Sequence, residues 1–207
     1  MNKETGKNRN VLVKQTMRRI LFLACGIALA LALMVSQPAR ADDSTPPNVP
    51  TILQVPTGNH LFRVAHAVGT QDYVCLSTGW ASPAYGPQAT LFDDGNEQIL
   101  THFLSPNPAE SNAARPTWQD SRDTSTVWAN PIPGASYTPD PTAIPWLLLK
   151  EVGTAVGRTG GDRMIDTTYI QRLNTTGGLK PTGSCIESAK ALVAYTADYY
   201  FYKADSK

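Results

Sequence analysis

Short segments of apolar and β-branched residues, each bounded by turn residues, recur along this chain from His60 onward. They read HLFRVAHAV (60–68), QDYVCLS (71–77), ATLFDDGNEQIL (89–100), IPWLLLKEVGTAVG (144–157), MIDTTYIQRL (164–173) and ALVAYTADYYFYK (191–203). In the first of them His60, Phe62, Val64, His66 and Val68 alternate with Leu61, Arg63, Ala65 and Ala67, the period of two of a strand. Little of the chain follows a helical period. The sequence therefore predicts an all-β fold of at least seven strands, a single-domain antiparallel sandwich or barrel with long loops.

Turn residues divide the predicted strands. Asp94-Gly95 between apolar flanks is a strong hairpin signal, and Gly69-Thr70 predicts a second hairpin. Two segments are too long for tight turns, LSPNPAESNAARP (104–116) and ANPIPGASYTPDPTA (129–143), and these are predicted to be long loops. Loops of this length on a compact domain are either functional or merely mobile, and the sequence leaves both readings open.

The last predicted strand carries five aromatic rings between positions 195 and 202. On a strand these rings divide between two faces. One face holds Val193, Tyr195, Ala197, Tyr199 and Phe201, and the other holds Ala194, Thr196, Asp198, Tyr200 and Tyr202. Rings on opposite faces cannot form one flat binding platform, so the first face is predicted to be core and the second half-exposed. Tyr200 and Tyr202 are the candidates for a small outward binding patch.

The N-terminal segment predicts export. From Met17 the chain reads MRRILFLACGIALALALMVSQPARA, with a basic Arg18-Arg19 pair, an apolar run and a small-x-small signal at 39–41. This pattern predicts a signal peptide over residues 1–41, with cleavage after Ala41 and Met17 as an alternative start. An uncleaved anchor is the alternative reading. The predicted location is periplasmic or secreted, with membrane contact only during export. Residues 42–56 are predicted to be a flexible leader and residues 57–207 one β-rich domain.

Charge excludes one class of partner. Residues 42–207 contain 5 Lys and 6 Arg against 12 Asp and 4 Glu, a net charge of −5. A mildly acidic domain without a basic cluster is a poor binder of nucleic acid. The predicted partner is instead a small molecule of unknown identity or a component of the cell envelope.

Two of the three cysteines belong to the predicted mature domain. Cys25 lies in the signal peptide, which leaves Cys75 and Cys185. In an exported protein such a pair most simply forms one disulfide. Two free thiols and a pair of metal ligands are the alternatives.

Motifs that carry catalysis are missing from this sequence. It contains no Gly-x-Ser-x-Gly elbow, phosphate loop, His-Glu-x-x-His helix or dinucleotide fingerprint. Two segments are rich in glycine, VGRTGGD (156–162) and NTTGGLKPTGS (174–184), and each contains a Gly-Gly pair. Between strands, Gly-Gly pairs form turns far more often than phosphate-binding loops. The segment DDGNE (93–97) lacks the ligand spacing of a calcium loop and is also predicted to be a turn.

The histidines allow an enzyme or metal hypothesis. His60 and His66 lie six residues apart, about 20 Å along a regular strand, which is too far to share one ion. One of them together with His102 and an aspartate is the metal alternative, and we predict no metal and no cofactor. If the protein is an enzyme, His102, Asp94 and Asp198 are the catalytic candidates, and they must converge in one pocket.

Tryptophans are the candidates for ligand stacking. Trp118 and Trp128 lie beside the long loops, where a surface cleft would use them to hold a sugar or an apolar ligand, whereas Trp146 within IPWLLL is predicted to be core. The favoured hypothesis is an exported binding or envelope-associated module. A periplasmic or extracellular enzyme, hydrolytic or metal-dependent, is one alternative, and a structural or stress-related protein without a ligand is the other.

Six segments resemble the secreted family called domain of unknown function 3455. They are QDYVCLSTGW, ATLFDDGNEQILTHF, TWQDSRDTSTVWA, IPWLLLKEVGTAVGRTGGD, TTYIQRLNTTGGLKPTGSC and VAYTADYYFY, together spanning roughly residues 57–203. The resemblance implies export, supports a Cys75–Cys185 disulfide, and transfers no catalytic residue. It also implies that LSPNPAESNAAR is an insertion between the positions of His102 and Thr117, so that a site built there differs in this chain.

Overall fold

The computed structural model describes residues 45–81 and 86–206; the predicted signal peptide, residues 1–41, lies outside them. This part of the chain forms nine strands: β1 Asn59–Leu76, β2 Gly79–Ala81, β3 Pro87–Phe92, β4 Gln98–Asn107, β5 Ala113–Asp120, β6 Thr126–Tyr137, β7 Trp146–Ala155, β8 Thr167–Gly177 and β9 Lys190–Ala204. Single 3-10 turns occur at Thr51–Leu53 and Pro108–Glu110. None of the helical segments in the described ranges is long and apolar enough to span a membrane.

The sheet closes on itself. Its strand order is β2-β1-β3-β4-β5-β6-β7-β8-β9 with every neighbour antiparallel, and β1 also pairs with β9 from Asn59↔Ala204 to Val74↔Lys190. Eight strands therefore form a closed barrel, and β2 is an extra strand paired to the end of β1. The all-β prediction is confirmed and the sandwich alternative is wrong. Alternation within a strand is the same in both architectures, so only the long pairing of the first and last strands decides between them.

The predicted hairpin at Gly69-Thr70 is wrong, because β1 continues through it. Residues 66–71 pair with β3 on one side while residues 59–74 pair with β9 on the other. Gly69 lies so close to β3 that a Cβ atom there would be 2.1 Å from the carbonyl oxygen of Gln88. The glycine permits a close approach of two strands rather than a turn. The Asp94-Gly95 turn does join β3 to β4, with the Asp93 carboxylate accepting from the amides of Gly95 and Glu97.

The predicted long loop at 104–116 is a hairpin. Strands β4 and β5 pair in register from Leu100↔Asp120 to Asn107↔Ala113. At the tip, the buried Asn107 side chain accepts from the amide of Ala109 and donates to the Val152 carbonyl, and Arg115 binds Glu110 through two nitrogens. The second predicted loop, 129–143, continues strand β6 to Tyr137 and is irregular between Pro131 and Ser136. Side-chain bonds across a hairpin tip give no local sequence signal, which is why these lengths were misjudged.

Large side chains fill one half of the barrel interior. Trp118, Phe201, Leu91, Leu100, Met164 and Ile170 are almost fully buried there. The predicted core face of β9 points into the barrel, where Tyr195, Ala197, Tyr199 and Phe201 are all buried. Small residues of β1, Ala65 and Ala67, face them across the β1–β9 pairing.

A second cluster lies on the outer surface of the barrel. Residues 49–55, predicted to be part of a flexible leader, pack there instead, with Leu53 fully buried beside Leu148 and Leu173. Gln171 of β8 donates to the carbonyl of Leu53 and accepts from the Tyr202 hydroxyl. Tyr202 is consequently 2% exposed, so the expectation that it is half-exposed is wrong. An added layer of chain covers that face, which alternation within β9 does not reveal.

Cys75 and Cys185 form the predicted disulfide, with 6.0 Å between their Cα atoms. The bond ties the end of β1 to the connection between β8 and β9. Backbone hydrogen bonds from Cys75 to Ala189 and from Ser188 to Cys75 hold the same two segments together.

Candidate functional site

One end of the barrel interior contains a cavity of about 510 Å³. The side chains inside an eight-stranded barrel either fill its interior or leave room for one small ligand. In this barrel they fill one end and leave the other end open. The volume falls within the range of about 300–1,000 Å³ found for small-molecule sites. Most of the lining is apolar, including Leu104, Leu147, Leu149, Ile144 and four prolines. None of the described residues that line the cavity is an aspartate or a glutamate.

Three rings form the inner part of the cavity wall. His102 stacks on Trp118 with 4.1 Å between ring centroids, and Tyr199 meets both rings edge-on. His102 Nδ1 donates to the Thr117 carbonyl at 2.8 Å, which leaves the lone pair on Nε2. Burial lowers the pKa of His102 to about 3, so the ring is neutral. The Trp118 Nε1 atom is buried without a hydrogen-bond partner among the described residues.

Arg172 is the cation inside the cavity. It lies on the interior face of β8, paired with Leu147 of β7 and Tyr199 of β9, both of which also line the cavity. Its Nε and Nη2 atoms donate to the Pro145 carbonyl at 3.2 and 2.8 Å. That carbonyl is held in place because the adjacent Ile144 bonds through its amide to Gly177 and through its carbonyl to the Thr175 hydroxyl. Lys180, which is exposed, supplies a second cation to the lining.

An ion pair lies toward the filled end of the barrel. Arg63 Nη1 donates to Asp120 Oδ2 at 2.7 Å, with side-chain exposures of 15% and 1%. Asp120 also accepts from the amides of Arg122 and Asp123 in the turn between β5 and β6. The barrel thus contains two interior arginines, of which Arg63 has a carboxylate partner.

The three catalytic candidates do not form one group. Asp94 and Asp198 both bind His66 on the outer surface, at 2.9 Å from Nε2 and 2.7 Å from Nδ1. His102 faces the interior, and its contacts are Thr117, Trp118 and Tyr199. The two aspartates meet at His66 rather than at His102, because the closure of β1 against β9 places His66 opposite Asp198.

The remaining predicted residues lie at separate places. Trp118 lines the cavity, whereas Trp128 is on the outer face of β6 and donates its Nε1 hydrogen to Ser105 Oγ at 2.9 Å. Tyr200 is half-buried in the outer apolar cluster, as is Trp146. Within residues 45–81 and 86–206, no group of three or more His, Cys, Asp or Glu side chains has an arrangement that could hold a metal ion.

The pKa of His66 is raised above the usual value for histidine, whereas the pKa of His102 is lowered below it. Partial burial lowers the pKa of His66, but hydrogen bonds and charges from Asp198 and Asp94 outweigh it and raise the pKa above the usual value. We expect the ¹⁵N chemical shifts of the His66 imidazole to show its titration midpoint above pH 6.5. The shifts of His102 should show a neutral ring down to about pH 3. Since the folded pKa of His66 is raised, the stability that His66 contributes is full below about pH 6.5 and is lost as the pH rises through the folded pKa.

His102 acts with the opposite sign, because its folded pKa is depressed. Below about pH 6.5 this histidine is protonated in the unfolded chain but stays neutral in the folded protein. The free energy of unfolding therefore falls as the pH is lowered from 6.5 toward 3. An imidazole of His102 that titrated near pH 6.5 would contradict its burial in the barrel. Replacing His66 with glutamine serves as the assignment control, because it removes the His66 resonance and leaves those of His60 and His102.

Arg172 was missed by sequence reasoning, although a signal for it exists. It shares an interior face of its strand with Ile170, whose side chain is fully buried. A charged residue between apolar positions on the face that must be buried marks either an ion pair or a ligand site. The strand was predicted over residues 164–173, whereas β8 runs over Thr167–Gly177, so both the predicted start and the predicted end are three to four residues too early.

A family profile described as "Protein of unknown function (DUF3455)" matches residues 56–203. This confirms the resemblance noted from the six segments, over almost the same span. No curated protein and no solved structure matches the chain.

Proposed function

Because the chain belongs to the DUF3455 family, whose description assigns no activity, we propose from the geometry alone that the protein binds a small, largely apolar molecule inside its barrel. The observation that carries this proposal is the 510 Å³ cavity at one end of an otherwise packed interior. Leaving such a space empty costs dispersion contacts that a packed core would supply. In a protein with a purely structural role, nothing would offset this loss of stability.

The lining of the cavity supports a binding role. Ring faces and aliphatic side chains make up most of the wall, and a few polar groups converge on it, as in small-molecule sites generally. The unpaired Nε1 of Trp118 adds a donor that costs free energy unless a bound molecule or water accepts from it. The strands that carry these residues are closed into a barrel and tied by a disulfide, so the site is largely pre-formed.

A neutral fluorescent probe tests the proposal without knowledge of the natural ligand. We expect N-phenyl-1-naphthylamine to gain fluorescence on mixing with the purified protein, because the apolar walls exclude water from it. Leu147→Trp places a larger side chain in the cavity and should abolish the signal. Leu192→Trp is the matched control, since Leu192 is 65% exposed on β9, and it should bind the probe as the wild type does.

Two results would overturn the proposal. One is a wild-type protein that never takes up the probe, and the other is an equal loss or equal retention of signal in both variants. Thermal unfolding of each variant separates a filled cavity from a failure to fold. If Leu147→Trp does not fold, Leu104→Trp, which fills the same cavity from β4, provides the same comparison.

A further inference from the structure

We propose that the molecule bound in the barrel is an amphipathic carboxylate, whose carboxylate pairs with Arg172 while its apolar part lies against Ile144, Leu147 and Leu149. This inference rests on the proposed binding function and specifies the chemical class of its ligand.

The guanidinium of Arg172 donates to a carbonyl along one edge and has no carboxylate partner among the described residues along the other. The Pro145 carbonyl accepts from the edge formed by Nε and Nη2. The opposite edge, formed by Nη1 and the second hydrogen of Nη2, has no carboxylate within ion-pair distance in residues 45–81 and 86–206. This edge presents two parallel donors, the arrangement that binds both oxygens of a carboxylate. The Tyr199 hydroxyl also hydrogen-bonds with the Arg172 side chain and adds a neutral polar group beside it.

Arg63, the other interior arginine, has a carboxylate partner of the kind that Arg172 lacks among the described residues. Arg63 lies inside the same barrel, and Asp120 neutralises it at 2.7 Å. A guanidinium held among apolar groups costs free energy unless an anion accompanies it. At Arg63 the described residues supply that anion, and at Arg172 they do not. The difference between the two ends coincides with the presence of the cavity, so the anion for Arg172 is expected to come with the ligand.

The charge of Arg172 extends through the cavity. It works to lower the pKa of four surrounding side chains, against the effect of burial at three tyrosines and together with burial at one histidine. These side chains are Tyr73, His102, Tyr195 and Tyr199. Lys180 adds a second positive charge toward solvent, and no aspartate or glutamate is among the described lining residues to offset either. An anion entering the cavity therefore meets a positive potential with apolar walls around it.

The number of donors favours a carboxylate over a phosphate group. One guanidinium edge matches a planar anion with two oxygens, whereas a doubly charged, tetrahedral phosphate calls for more donors than this wall provides. His102 cannot add a cation, because burial lowers its pKa to about 3. The neighbouring wall is aliphatic and proline-rich, which suits a hydrocarbon or aromatic body.

Three probes of equal chain length test the charge preference in the wild-type protein. Decanoate, decanol and decylamine are titrated as competitors against the bound fluorescent naphthylamine. We expect decanoate to compete at a concentration about tenfold lower than decanol, since a hydrogen-bonded ion pair with Arg172 adds at least one factor of ten in affinity. Decylamine should compete most weakly, because its ammonium group faces two cations.

Substitution of the arginine locates that preference. Arg172→Met keeps the length of the side chain and removes the charge, so decanoate should lose about tenfold in affinity while decanol is unchanged. Arg158→Met is the matched control, because Arg158 is exposed on the connection between β7 and β8, at the opposite end of the barrel. Loss of the Pro145 bonds could unfold Arg172→Met; Lys180→Met then reports a smaller loss for decanoate alone.

The outcomes separate this inference from the function it rests on. Equal competition by decanoate and decanol overturns the carboxylate assignment and leaves the binding function standing. A preference for decanoate that survives both Arg172→Met and Lys180→Met overturns the site assigned to it. Failure of all three compounds and of the naphthylamine to bind the wild type overturns the proposed function itself.

Discussion

Replacing Asp120 with asparagine is expected to lower the free energy of unfolding by about 3–5 kcal/mol. The substitution keeps the shape of the side chain and an oxygen that accepts from the amides of Arg122 and Asp123. It removes the negative charge that Arg63 meets inside the barrel, where Asp120 is 1% exposed. The loss is large beside the total stability of about 5–15 kcal/mol of an ordinary domain. The midpoint and slope of urea unfolding measure it.

Two further variants test that explanation. Arg63→Met in the Asp120→Asn background removes the unpaired cation, so it should recover most of the lost stability. Glu97→Gln breaks the exposed ion pair with Arg122 and should leave the urea midpoint where it is, because solvent screens that pair. A double variant as unstable as Asp120→Asn alone would mean that the turn, rather than the buried charge, depends on the carboxylate.

Removal of the disulfide is expected to have a comparable effect. The Cys75–Cys185 bond closes a loop with a sequence separation of 110 residues, which the chain-entropy account values at about 4–5 kcal/mol. Replacing both cysteines with alanine should lower the urea midpoint accordingly, since the unfolded chain regains the freedom that the bond removes. Dithiothreitol should do the same to the wild type and nothing to the double alanine variant.

The expected result depends on the native structure surviving without the bond. The backbone bonds between Cys75 and residues 188 and 189 hold the two segments together independently of the sulfur atoms. The reduced protein should therefore stay folded and retain its barrel in far-ultraviolet circular dichroism. Equal stability of the oxidised and reduced proteins would contradict the entropic origin of the effect and leave the bond as a local tie between β1 and the β8–β9 connection.

The sequence predicted an element correctly where the contacts that fix it lie within a few residues of one another, and wrongly where they join distant strands. The buried face of β9 was correct because Tyr195, Tyr199 and Phe201 repeat at the period of the strand itself. The hairpin at Asp94-Gly95 was correct because the Asp93 carboxylate and the amides it accepts from are only a few residues apart. The predicted hairpin at Gly69 failed because a contact with another strand, not a turn, requires the glycine.

The candidate site depended on longer-range information. Trp118 was chosen as a ligand contact, and it does line the cavity, but as an interior residue stacked on His102 rather than on a surface cleft. The pairing of Asp94 and Asp198 with His66 joins two strands, β1 and β9, and the turn between β3 and β4. The importance of Arg172 depends on the cavity lining, which contains no aspartate or glutamate among the described residues.

By itself the sequence determined that this is an all-β domain with a buried aromatic strand and a net charge unsuited to nucleic acid, and it singled out the cysteine pair that the structure joins. These properties depend on local alternation, on composition and on a count of two residues. Only the tertiary structure decided that the sheet closes into a barrel, that one half of the interior is left open, and that Arg172 lies there with no carboxylate among the described lining residues. Closure, volume and the partner of a charge are each set by groups far apart in the chain, and no local pattern records them.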